Sequence, residues 1–223
     1  MPRPRAVALD IIETTFSLSS LDVRFLAIGL SPRDRDLWFA ETLRDTFTLA
    51  ATGAYAPFSQ VCGQALMALG ARRGRALMPN DIEHVLMGFT TVEPHPDAAA
   101  ALNRLGGEGV PVVALTNGAA EVTRTFLRAS GLEPLVAHIL STDEVGAFKP
   151  CAEVYRRAAE ALDVRPADML LIATHGWDVH GARSAGLASG FVRRGQSFSR
   201  AFLAPDVEGE SLEAVVDGVL GLL

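Results

Sequence analysis

Asp10, Lys149 and Asp178, with a Thr116-Asn117-Gly118 turn between the first two, are the residues of this chain that could make and break an ester. Asp10 closes the apolar run Ala6-Val7-Ala8-Leu9, and a carboxylate at the carboxyl end of a strand stands at the usual ligand edge of an open α/β sheet. There it can attack an electrophilic carbon or phosphorus, giving an ester or acyl phosphate that water later cleaves, or it can simply cap the turn that follows. Ile12, two positions on, has no proton to donate. Phosphoryl transfer to an alcohol leaving group benefits from such an acid, whereas a halide is already a weak base and leaves without one.

Thr116 and Asn117 follow a second apolar run and can hydrogen-bond an anion, with Gly118 letting the chain turn closely around it. The same residues suit a helix N-cap ahead of Ala119-Ala120-Glu121, and a helix N-terminus is itself an anion site. An ammonium at Lys149 beside Asp10 would keep that carboxylate ionised, although most lysines are solvated surface groups. Pro150 suits the first turn of the helix that follows. Tyr155 can reach the same site from that helix or pack beneath it. Asp178 can cap its helix, hold Lys149, or orient a hydrolytic water. His175 can bind a leaving anion, donate a hydrogen bond, or be satisfied by local backbone, and Trp177 reads as a packing residue or pocket wall. The histidines show no metal-ligand spacing, so no zinc site is expected.

For these groups to meet, their loops must open on one sheet edge. From about Pro94 onward, apolar runs (Val110 to Leu115, Ala137 to Leu140, Met169 to Ala173, Ala188 to Val192) alternate with helical patterns (Pro96 to Leu105, Ala119 to Ser130, Ala152 to Leu162, Val179 to Ala185). Strands apolar on both faces alternating with helices predict a parallel sheet covered by helices, with Gly131 and Gly186 at helix C-termini. The stretch from Phe16 to Val92 differs: Asp36 to Ala50, Phe58 to Leu69 and Asn80 to Met87 all carry helical periodicity, and Asn80-Asp81-Ile82-Glu83 reads as a capping sequence. A helical insert therefore separates the first strand from the rest of the sheet. Ser211 to Leu223 reads as a final helix.

With 223 residues, 49% of them hydrophobic, the chain can bury one large core or a core with an insert. A net charge of −6 and the lack of an Arg/Lys-rich run weigh against nucleic acid as a partner. Cys62 and Cys151 have neither metal-ligand nor redox-pair spacing, which suits a reducing compartment. Met1-Pro2-Arg3-Pro4-Arg5 lacks the apolar stretch of a signal peptide, and no run approaches the ~18 apolar residues of a membrane span. These features together point to a cytoplasmic protein, and the acidic surface does not exclude an anionic small molecule, because a pocket sets its own local field.

Leu9-Asp10-Ile11-Ile12-Glu13-Thr14, Leu37-Trp38, Thr116-Asn117-Gly118, Lys149-Pro150 with Val154-Tyr155, and Trp177-Asp178 with Gly181-Ala182 follow one another in this order. Over nearly its full length the chain thereby resembles the haloacid dehalogenase superfamily, and within it the L-2-haloacid dehalogenase branch. The resemblance implies a Rossmann-like α/β core (1–15 and 93–223) with a helical cap (16–92) inserted after the first strand. It implies Asp10 as the nucleophile that displaces halide from the substrate's α-carbon, Lys149 as its partner, and Asp178 as support for ester hydrolysis. Thr14, Thr116 and Asn117 would position the nucleophile or bind the substrate carboxylate, and Trp38, Phe39, Tyr155 and His175 complete the expected substrate-binding set. No metal or cofactor is implied; the substrate would be a short carboxylate, and a homodimer through an apolar cap helix bearing Trp38, Phe39 and Phe47 is in keeping with the family.

Some positions depart from that pattern. An arginine that helps hold the leaving halide normally follows the Leu-Trp pair; here the position is Phe39. Ala173 and His175 stand where the branch usually has Ser and Asn. His175 or Arg44 could replace the missing cation, although helical spacing turns Arg44 to another face. Phosphatase relatives carry an acid where Ile12 stands and a further carboxylate near Thr174, without which a Mg²⁺ site would be poor. The alternatives are a Mg²⁺-dependent phosphatase and a non-catalytic binding protein on the same scaffold.

Overall fold

The computed structural model describes residues 3–221. Strand β1 (Ala6–Asp10) and the short β2 (Phe16–Ser17) precede four helices, α1 (Asp22–Ala27), α2 (Pro32–Thr52), α3 (Phe58–Arg72) and α4 (Pro79–Leu86), and then β3 (Glu93–Pro94). Next come α5 (Ala98–Gly107), β4 (Val112–Thr116), α6 (Ala120–Ala129), β5 (His138–Ser141), α7 (Thr142–Val145) and α8 (Ala152–Ala161). The chain continues with β6 (Met169–Ala173), α9 (Gly176–Ser184), β7 (Ala188–Val192), β8 (Val207–Gly209) and α10 (Leu212–Leu220).

Six strands form one sheet in the order β5-β4-β1-β6-β7-β8, every pair parallel. Side chains of a strand alternate between faces, and here both faces are covered. Val7 and Leu9 of β1 enter one apolar cluster with α5 and α10, while Ala6 and Ala8 enter another with α8 and α9. The chain runs outward from β1 to β4 and β5, then returns to β6 on the other side of β1. The carboxyl ends of β1, β4 and β6 therefore border the switch point where open α/β sheets bind ligands.

The segment between β2 and β3 is helical, and these two short strands pair antiparallel, Phe16 with Pro94 and Ser17 with Glu93. Helix α2 begins where Ser31 and Asp34 cap each other (Asp34 N–H to Ser31 Oγ 3.3 Å, Ser31 N–H to Asp34 Oδ2 2.9 Å) with Pro32 next, and it ends at Gly53 in the left-handed conformation. Trp38 is the centre of this bundle. Its ring lies 5.4 Å from Phe25 and 5.9 Å from Phe89, and its Nε1–H donates to the Cys62 carbonyl at 2.8 Å.

Strands β6 and β7 coincide with the apolar runs that foretold them, while β4 and β5 start later and end one residue later. Helix α9 starts at Gly176, earlier than the expected Val179, so Asp178 lies inside its first turn. Pro150 lies just outside α8, ahead of the N-cap Cys151. At α4 the capping group is Asp81, whose carboxylate accepts the Met78 N–H at 2.8 Å; Asn80 is already helical behind Pro79. The expected final helix is α10, and residues 222–223 of that expectation lie outside the described residues. Among the described residues no helix is long and apolar enough to cross a membrane.

Candidate active site

Asp10, Lys149 and Asp178 form a buried chain of charge. The Lys149 ammonium, the side chain of the only lysine in the sequence, stands 2.6 Å from Asp10 Oδ1 and 2.7 Å from Asp178 Oδ2. A compact ammonium fits between two carboxylates where a planar guanidinium would need more room. Burial alone would push Asp10 up; Lys149 and a hydrogen bond from His175 outweigh it and hold the carboxyl well below the usual carboxylate range. Burial works against the Lys149 charge too, but the two carboxylates raise its pKa. Asp178 is left the more basic acid, since burial and the Asp10 charge push it up against the pull of Lys149.

Each member is held by its own element. Thr14 Oγ1 donates to Asp10 Oδ2 at 2.5 Å and accepts the Thr174 N–H at 2.8 Å, tying the loop after β1 to the loop after β6. Thr15 Oγ1 donates to the Asp10 carbonyl at 2.7 Å. Tyr155 donates to Asp178 Oδ1 at 2.6 Å, and burial with the nearby Asp178 charge keeps its hydroxyl protonated. That contact requires α8 and α9 to approach closely. A Cβ on Gly181 would stand 2.6 Å from the Tyr155 hydroxyl, so glycine is what α9 can carry there.

A narrow cleft opens over Asp10 and is lined by Ile12, Phe39, Thr116, Asn117, Lys149 and His175, with Trp177 and Phe58 among the remaining walls. Thr116 Oγ1 accepts the Gly118 N–H at 3.0 Å, which shapes the turn. Asn117 is fixed through its oxygens, Oδ1 accepting the Lys149 N–H at 3.2 Å and the carbonyl accepting from Thr142 Oγ1 at 3.0 Å, so its Nδ2–H groups stay available to a ligand. His175 is the N-cap of α9 but makes no side-chain cap bond; its Nδ1 is 3.4 Å from Asp10 Oδ2 and its ring stacks on Trp177 at 5.3 Å.

Residues 34–186 match the haloacid dehalogenase-like hydrolase family. The chain belongs to that family. It is 31% identical to (S)-2-haloacid dehalogenase 1 of Pseudomonas sp. strain CBS-3 over 74% of this chain and 73% of that one. It is 28% identical to (S)-2-haloacid dehalogenase H-109 of Pseudomonas putida, over 82% and 83% respectively. A crystal structure of an L-2-haloacid dehalogenase superposes with a TM-score of 0.92 at 25% identity, covering 98% of this chain and 99% of the other.

On this hydrolase scaffold the structure brings Asp10, Thr14, Phe39, Thr116, Asn117, Lys149, His175 and Asp178 to one place, and two expected substrate contacts fall elsewhere. Trp38 is fully buried in the helical bundle and does not line the cleft: neighbours on a helix point about 100° apart, so when Phe39 faces the cleft Trp38 turns to the bundle core. Tyr155 is likewise buried and bonds Asp178 rather than facing the cleft. Arg44 is exposed and pairs with Asp45 and Glu41, so it supplies no cation here. Arg194 was not foreseen. Its guanidinium donates to the Thr14 carbonyl at 2.7 and 3.1 Å and pairs with Asp97 at 2.9 Å, clamping the loop after β1 from behind. The Arg193-Arg194 pair carries no sequence signal that separates it from any surface basic pair.

The charge chain fixes a pH prediction. With the Asp10 carboxyl held low and the Lys149 ammonium held high, both keep their charges between the ordinary carboxylate and lysine values of about 4 and 10. The kcat/KM profile should show no limb from either group between roughly pH 5 and 10. A titration midpoint of the Asp10 carboxyl carbon inside that window, read by carbon NMR, would overturn this assignment.

Proposed function

We propose that this protein is a metal-independent hydrolase that forms an ester at Asp10 on a 2-halocarboxylic acid. The observation that carries the proposal is an ionised Asp10 carboxylate on the wall of a cleft, backed by Lys149 at 2.6 Å, with apolar Ile12 where an acid for a poor leaving group would stand. The segment 16–92 acts as a cap: Phe39 and Phe58 bring it over the Rossmann-like core, where closure excludes water during attack.

In this reading the Asp10 oxygen attacks the α-carbon, the carbon–halogen bond breaks, and halide leaves with the bonding pair. The substrate carboxylate is held by Asn117 Nδ2–H and the Thr116-Gly118 turn, at the amino end of α6. Water then adds to the carbonyl carbon of the Asp10 ester. The bond between Asp10 Cγ and the ester oxygen opens, that oxygen stays on the substrate, one water proton completes the hydroxyl of the 2-hydroxy acid, and the other leaves to solvent. His175 is the ring nearest Asp10 on the cleft wall and orients this water; Asp178 acts through Lys149, which it holds in place.

A magnesium phosphatase fits the residues poorly. Lys149 already occupies the space between the two carboxylates, and Tyr155 takes the second Asp178 oxygen. Among the described residues no group of three His, Cys, Asp or Glu side chains is arranged to hold a metal. Hard divalent cations need several free oxygen ligands. The test is halide and phosphate release from a panel of 2-haloacids and a generic phosphate ester, with Mg²⁺ and with chelator. Halide release indifferent to chelation supports the proposal, and Mg²⁺-dependent phosphate release overturns it.

Phe39 gives a sharper test of the leaving-group site. It lines the cleft with its ring 6.1 Å from that of His175, where the resembled branch carries a cation. A charged hydrogen bond contributes about 1.5–3 kcal/mol, so Phe39→Arg should raise kcat/KM on 2-chloropropionate about 10- to 100-fold. Unchanged or lower halide release would place the halide away from residue 39.

A further inference from the structure

The catalytic cleft has a larger neighbour. A cavity of about 120 Å³ lies beside it, walled by Ile12, Phe58, Leu86, Phe89, Val122 and Phe126. Ile12, Phe58, Thr116 and Gly118 line both spaces, so the two meet at the residue two beyond the nucleophile. Gly118 matters at this junction: a Cβ there would stand 3.4 Å from Thr116 Oγ1 and 4.0 Å from the Phe58 ring, narrowing the passage. The two exposed members with polar groups, Ser59 and Asp143, mark the solvent side, and Asp143 accepts a hydrogen bond from Tyr55.

We propose that this cavity binds the substituent on the substrate's α-carbon, so that the preferred substrate is a 2-substituted acid with an uncharged alkyl or aryl group of about phenyl size. The proposal rests on the assignment of Asp10 and Asn117 above and deepens it. The space directly over Asp10 is narrow, about 20 Å³, so a substituent on the α-carbon has to lie beyond it. The adjoining cavity, about 120 Å³, is comparable to the ~150 Å³ apolar cavity that takes a benzene ring. Thr116 and Thr123 are its buried polar walls and most of the rest is apolar, while the Asp143 carboxylate on the solvent side repels a second acid. Ile12 thus has two effects: it withholds a proton from a poor leaving group and presents an apolar wall to the tail.

The experiment is calorimetric titration of the full chain with 2-hydroxy acids, the products of the proposed reaction, from 2-hydroxypropanoate to 2-hydroxydecanoate. Affinity should rise about fourfold per methylene until the cavity is filled. Val122→Trp, or Leu86→Phe from the facing wall should the first variant not fold, should cut the ratio of long- to short-chain affinity at least tenfold. Affinity independent of chain length, no binding at any length, or variants that weaken long and short acids alike would overturn the tail site. Failure of the dehalogenase reading shows separately, as absence of halide release in the substrate panel.

Discussion

Asp10→Asn is expected to abolish turnover, by about 10⁴-fold or more, while leaving the fold nearly as stable as before. The loss follows from nucleophilicity: an amide cannot form the ester, and none of the other side chains on the cleft wall offers a carboxylate. The stability expectation follows from charge. The wild-type chain of two carboxylates and one ammonium carries a net negative charge in a buried place, and neutralising Asp10 leaves Lys149 and Asp178 as a balanced pair 2.7 Å apart. Against this, one hydrogen bond suffers. An amide can present its oxygen to Lys149 or to Thr14, and its NH₂ then faces the other donor. The two effects oppose, so the change should stay within about 2 kcal/mol.

A heavy-oxygen experiment on the wild type isolates the covalent step. With enzyme in excess over substrate in labelled water, water attacks the Asp10 carbonyl carbon, so the label enters Asp10 and the hydroxy acid keeps an unlabelled oxygen. Label in the product alone would mean that water displaces the halide directly, and the nucleophile assignment would fall.

How much of this could be read from the sequence varies with the kind of interaction. β6 and β7 are buried runs bounded by loops, and such runs announce themselves. Asp10, Thr116 and the Thr174-His175 turn follow directly from strands, so their meeting at one sheet edge was legible once the strands were. β8 and α7 were not, because three or four residues carry too little periodicity to stand out. The start of α9 was missed because Gly176 and Trp177 are poor helix formers, and tertiary packing overrides that propensity. Trp38 and Phe39 show the limit most clearly: both are aromatic, adjacent and on one helix, and only the rotation of α2 in the bundle decides which meets the cleft. The cavity beyond Ile12 is drawn from several distant chain segments, so no local pattern could outline it.

Lys149→Met is expected to be the most damaging single change to stability and to lower the rate as well, and its signature is an inverted pH dependence. Removing the ammonium leaves Asp10 and Asp178 as buried carboxylates with no cation between them. Breaking a buried ion pair by deleting one partner costs about 3–5 kcal/mol. In the wild type the Asp10 carboxyl is depressed, so its contribution to stability is present above the unfolded value of about 4 and is lost as pH falls toward its folded value. In the variant, burial and mutual repulsion raise the carboxyls above the unfolded value. The folded state then binds more protons than the unfolded state, so stability rises as pH falls. Urea midpoints should therefore separate the two proteins widely at pH 8 and bring them closer at pH 5. Turnover at pH 8 should fall by about 10³-fold or more, because a carboxyl that holds its proton is no longer a nucleophile. A stability deficit equal at both pH values would show that Lys149 acts by packing alone, and the charge chain would lose its place in the mechanism.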